Sequence, residues 1–153
     1  WEATTKHPIA ASDVSWRVEA VKLPAAGHLD EAKLTALIDN DKTPVATRLN
    51  SASHLAWLKR AEAGMTIDLS CLRLGNTYIV HMPGELFVEY QLAAQALRPN
   101  DTVCMAAYGD YGPGYIGTEI AYGQGGYETC ERASRVAPKS EGVLTQVLKK
   151  LLR

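Results

Sequence analysis

The sequence predicts an α/β fold: a mixed sheet with flanking helices, a βαβ-like core and a long Gly/Tyr-rich loop. Apolar residues alternate with polar ones over 14–20, 66–74 and 77–82, the period of half-buried strands. They recur at helical spacing over 29–37, 44–64, 84–98 and 139–152. The order strand (76–82), helix (84–98), strand (101–107) reads as one crossover unit in a mixed sheet.

Taken in order, the first thirteen residues form an extended lead-in. Val14, Trp16, Val18 and Ala20 then alternate with polar neighbours, a strand ended by Pro24. Leu29, Ala32, Leu34, Ala36 and Leu37 mark a short helix with acids in its first turn. The run 43–64 is a second helix, with Pro44 near its start and Gly64 at its end. Two alternating runs joined through Gly75-Asn76 form a hairpin. Leu86, Tyr90, Ala93 and Leu97 carry the next helix, and 101–107 is a short buried strand. The loop from Gly109 to Glu128 follows. A last helix has Ser140 as its cap and Lys149 and Lys150 in its final turn.

The 153 residues fit one domain, 1–153. Basic and acidic residues nearly balance, 16 against 17, and no basic run or stripe occurs. The electrostatic footprint of nucleic-acid binding is therefore missing. No apolar run is long enough to span a bilayer, and no signal peptide is visible. The chain opens on Trp1 in place of methionine. Cys71, Cys104 and Cys130 lack metal-type spacing, and an odd count argues against a full disulfide framework. Cys71 and Cys104 fall in predicted strands and read as buried, inert thiols.

The loop 109–128 leaves the C-terminal end of a predicted strand, where open α/β sheets place their sites. Glycine supplies backbone freedom there, and tyrosine supplies a ring with one polar tip. Glu85 follows a Pro83-Gly84 turn at the start of a predicted helix. It is either a helix-start acid favoured by the dipole, or a metal ligand or general base. His81 reads as a core histidine, and no HExxH cluster, GxSxG elbow or P-loop occurs. Tyr115, Tyr122 and Tyr127 either pack as rings or serve beside an ion, where a phenol becomes an anionic ligand.

"PGELF", followed about thirty residues later by "GYIGTEIAYGQGGYE", resembles the neutral/alkaline non-lysosomal ceramidase family. Tyr115, Ile116, Thr118, Tyr122, Gln124, Tyr127 and Glu128 fit that family's motif at its own spacing. The resemblance implies hydrolysis of the amide bond of ceramide, or of a similar N-acyl amide, with a zinc ion. It implies that Glu85 and Tyr115 are metal ligands and that Tyr127 lies at the substrate's polar head as a catalytic residue. The family's two zinc-binding histidines, its serine and its arginine precede this region, and no matching segment occurs here. The resemblance therefore implies the C-terminal portion of a larger zinc amidohydrolase. On that view the chain is inactive alone and is completed by an upstream part of the same protein or by a separate chain. It also admits a homo-oligomer, a membrane-lipid substrate and a secreted or periplasmic location. A different class of function stands beside this one: a non-catalytic binding or structural domain whose Gly/Tyr loop meets a sugar or a protein.

Overall fold

The computed structural model describes residues 2–153. The strands β1 (Val14–Val21), β2 (Ile67–Leu74), β3 (Thr77–His81) and β5 (Thr102–Ala106) form a four-stranded sheet in the order β1-β2-β3-β5. The first two pairings are antiparallel; β3 and β5 are parallel, from Thr77↔Thr102 to His81↔Ala106. Between them run β4 (Glu85–Leu86) and the helix α3 (Val88–Ala96), so the crossover unit read from the sequence is present. The remaining elements are α1 (Glu31–Asp39), α2 (Val45–Glu62), β6 (Tyr115–Ile116), α4 (Glu119–Gln124) and α5 (Ser140–Leu151).

Helices α3 and α5 cover one face of the sheet. Ile67, Leu69, Cys71, Tyr78, Val80 and Val103 are buried in one cluster with Tyr90, Ala94, Leu144, Val147, Leu148 and Leu151. α5 reads cleanly because its apolar residues fall on one stripe, at Leu144, Val147, Leu148 and Leu151. Arg17 fixes its end to β1 by donating to the carbonyl of Leu151. Trp57 and Leu58 bring α2 into the same core, and α2 ends where Gly64 turns left-handed at φ +70°.

The other face of the sheet is bare. Val14, Trp16 and Val18 are 47%, 60% and 49% exposed. Their cross-strand neighbours Leu74 and Leu72, and Ile79 beyond, extend the same apolar side. The period of β1 thus identified the strand, but its apolar stripe points away from the helices. Ser15, Arg17 and Glu19 take the helix-covered side, where Lys150 pairs with Glu19. Cys104, expected inside, is exposed on the open face opposite Ile79, and all three cysteines are free thiols. His81, expected in the core, is exposed at the end of β3.

Three other expectations change. The helix after Pro83 begins at Val88, four residues later than the apolar spacing implied. Glu85 and Phe87 donate their N–H groups to Gly114 and Ile116 carbonyls instead, so strand pairing takes this segment. The long loop is partly regular, since it contains β6 and α4, whose Thr118 caps the helix by accepting from Ala121 N–H. Ser140 is the first residue of α5, not its cap, and its buried hydroxyl has no partner.

His54 on α2 is 5% exposed and its Nε2 lies 3.3 Å from the Arg132 carbonyl. Burial, with help from the nearby Arg135 charge and from His28, holds its pKa below the usual histidine value. Its folded-state pKa lies below its unfolded one, so the neutral ring adds stability above about pH 6.5. That stability is lost as pH falls from there through the depressed folded value. Urea midpoints measured from pH 7.5 to pH 5 are expected to fall for the wild type and to flatten for His54→Gln.

Candidate metal centre

Two copies of one local device build the site. Pro83-Gly84-Glu85 and Pro113-Gly114-Tyr115 each place a buried proline, a left-handed glycine and then the first residue of a short strand. Gly84 has φ +60° and Gly114 φ +70°, values that a side chain rarely tolerates. Each glycine also lies against backbone. A Cβ on Gly84 would stand 2.5 Å from the Gly114 carbonyl oxygen, and one on Gly114 would stand 2.3 Å from that of Ala133. This close approach lets β4 and β6 pair in parallel, with Glu85 directly opposite Tyr115. Glu85 N–H donates to Gly114 at 2.9 Å, and Tyr115 N–H donates to Ala133 at 3.1 Å.

Both side chains are half-buried and line a cleft of about 440 Å³, which also holds Phe87, Glu89 and Glu128. The Tyr115 phenol is pushed up to about 12, first by desolvation and then by its hydrogen bond to Glu85 and that residue's charge. Tyr127, 59% exposed, sets its ring edge-on to Tyr115 with centroids 5.9 Å apart. The three residues singled out in the sequence, Glu85, Tyr115 and Tyr127, therefore meet in one place. Tyr122 does not join them. It is turned inward, its hydroxyl 2.7 Å from that of buried Ser134, and it anchors the loop.

Sequence reasoning missed Tyr108. Its phenol is raised from its ordinary value, chiefly by a hydrogen bond to Glu85 and then by desolvation. Tyr108 is the sole non-glycine at positive φ among the described residues, +66°, and its N–H donates to the Gly84 carbonyl at 2.8 Å. Strained backbone of this kind concentrates at functional sites. Its ring stacks on Tyr111 with centroids 6.0 Å apart. The Pro-Gly doublets at 83–84 and 113–114 are a sequence feature that could have joined the two halves, and the motif reading did not use them as a pair.

The donor set suits a hard or borderline divalent cation in chemistry and falls short in number. One carboxylate and one phenol are oxygen ligands of the kind zinc accepts. Among the described residues, no group of three or more His, Cys, Asp or Glu side chains could hold a metal. The residues present therefore fit half of a four-coordinate site.

The fold is similar to that of neutral ceramidases. The crystal structure of neutral ceramidase from Pseudomonas aeruginosa matches 91% of this chain and 28% of that one, with TM-score 0.52 and 15% identity. A ceramidase complexed with C2 matches 57% of this chain and 14% of that one, with TM-score 0.49 and 19% identity. At these identities the likeness is one of fold. The chain spans less than a third of the length of either ceramidase. No protein-family model and no curated protein matches the chain. No helix among the described residues is long and apolar enough to cross a membrane.

Proposed function

We propose that this chain is the C-terminal portion of a ceramidase-like, zinc-dependent amidohydrolase, and that it supplies Glu85 and Tyr115 to a metal site completed by other residues. The observation that carries this reading is the register of β4 on β6, which sets one carboxylate opposite one phenol. Zinc bound there would act as a Lewis acid toward an amide carbonyl and its attacking water.

The chain's own residues do the rest of the work. Glu85 would bring a carboxylate, on a backbone held by its N–H bond to the Gly114 carbonyl. Tyr115 is neutral until a cation draws off its proton, since its phenol otherwise ionises only near 12. Tyr127, exposed and edge-on to Tyr115, would donate a hydrogen bond to a substrate's polar head. The missing ligands would come from an upstream part of the same protein or from a separate chain. The bare sheet face around Trp16 supports this, because apolar patches of this kind in natural proteins mark surfaces that another layer covers. Zinc, an exported location and an N-acyl lipid substrate belong to this proposal by resemblance.

Tyr115→Phe tests the reading in the polypeptide that carries the remaining ligands. It keeps the ring beside Tyr127 and removes the ligand oxygen. Zinc content and amide hydrolysis are both expected to fall at least about tenfold, the lower range for disturbing a metal's ligand shell. Unchanged zinc content would instead favour a binding domain in which the tyrosines face a sugar or a protein. Hydrolysis by the purified 153-residue chain alone would also contradict the proposal.

A further inference from the structure

We infer that the cleft between α2 and the segment 110–135 binds an oxyanion, a carboxylate or phosphate group, with Arg135 as its cationic anchor. The cleft has a volume of about 460 Å³ and is lined by Trp57, Arg60, Tyr111 and Arg135, with Ser53 and Ala56 at its α2 wall. It lies apart from the cleft that holds Glu85, and nothing in the proposed amide hydrolysis uses it.

Its two arginines differ. Arg60 is neutralised by Asp110 through contacts of 2.7 and 3.2 Å, and it lies over the Trp57 ring. Gly112 runs close beside this pair; a Cβ there would stand 2.8 Å from Arg60 Nη1 and 2.9 Å from Asp110 Oδ1. Arg135 has no such partner. Among the described residues no carboxylate pairs with it, and its one side-chain hydrogen bond is from Nη1 to the Gly112 carbonyl at 3.1 Å. It is half-buried, and its pKa is lowered because burial disfavours its charge.

Two of its lining residues also carry buried donors without acceptors, Arg135 Nε and Trp57 Nε1. An unmatched buried donor costs about 1–3 kcal/mol, and a buried cation without a counter-charge costs more. An oxyanion in the cleft would neutralise Arg135. A guanidinium whose Nη1 is already committed still offers Nη2, a charged donor suited to an oxygen of a carboxylate or phosphate. The Trp57 and Tyr111 rings would flank whatever carbon the anion carries.

The test uses the ¹⁵N-labelled 153-residue chain. Inorganic phosphate, acetate and octanoate are titrated separately at constant ionic strength, with chloride as the reference salt. The Trp57 indole N–H and Arg135 Nε–H resonances are followed. Saturable shifts with at least one oxyanion and none with chloride are expected. Saturation by phosphate alone assigns a phosphoryl ligand, and saturation by acetate or octanoate assigns a carboxylate. Arg135→Gln is expected to weaken binding about tenfold or more, the worth of one charge-assisted hydrogen bond. Arg135→Lys, which keeps the charge and loses the fork, should fall between, and it serves should the glutamine variant not fold. Linear shifts equal to those of chloride overturn the inference, as does affinity unchanged in either variant. Because no readout involves zinc or hydrolysis, this inference and the amidase reading fail independently.

Discussion

Glu85→Gln is expected to abolish zinc-dependent hydrolysis in the assembled enzyme while leaving the fold in place. The substitution is nearly isosteric, and the β4 backbone bonds to Gly114 and Ile116 do not involve the side chain. What it removes is the carboxylate opposite Tyr115. Changes to groups that merely support a metal's ligands cost about 10–100-fold, so loss of a ligand should reach about 100-fold or more in zinc affinity. Zinc per protein by atomic absorption, read beside a thermal melt, separates this from unfolding. In the isolated chain the same variant has a second signature. Absorbance at 295 nm during an alkaline titration should show Tyr115 ionising well below its wild-type value of about 12, because the carboxylate that helps suppress the phenolate is gone.

Gly114→Ala is expected to destabilise the whole chain. Its φ of +70° alone costs an alanine about 1–2 kcal/mol. The new Cβ would also meet the Ala133 carbonyl oxygen at 2.3 Å, and backbone cannot swing aside as a side-chain tip can. Together these should cost about 3–5 kcal/mol, a large part of the 5–15 kcal/mol of a typical domain. Gly75→Ala is the control. Gly75 has a similar φ, +63°, with nothing within 4 Å of its would-be Cβ, so it should lose only the conformational part, about 1–2 kcal/mol. Chemical denaturation of both variants measures the difference. Equal losses would mean that the β4–β6 approach is loose.

Much of the fold is legible in the sequence because it rests on local periodicity. α5 and the β2–β3 hairpin announce themselves by their spacing and by Gly75-Asn76. The same periodicity is blind to which side of a strand meets a helix. Trp16 and Cys104 look like core residues, yet they lie on the bare face, because the sheet is covered by helices on one side only. The start of α3 is misread for a related reason. Residues 84–87 have helical spacing, but pairing with a strand thirty residues away competes for their backbone, and no local pattern reports that. The candidate site divides the same way. Glu85, Tyr115 and Tyr127 follow from motif spacing, and the structure brings them together. Tyr108 does not follow, since its role depends on a left-handed turn at the end of β5 that a tyrosine rarely adopts. Tyr122, alike in the motif, turns inward to Ser134.

The most direct test of the account is a zinc-edge anomalous difference map from crystals soaked in millimolar zinc. The account predicts a peak about 2 Å from both a Glu85 carboxylate oxygen and the Tyr115 hydroxyl oxygen, with Tyr127 at the rim. A zinc peak held by other residues, with none at Glu85 and Tyr115, would contradict it.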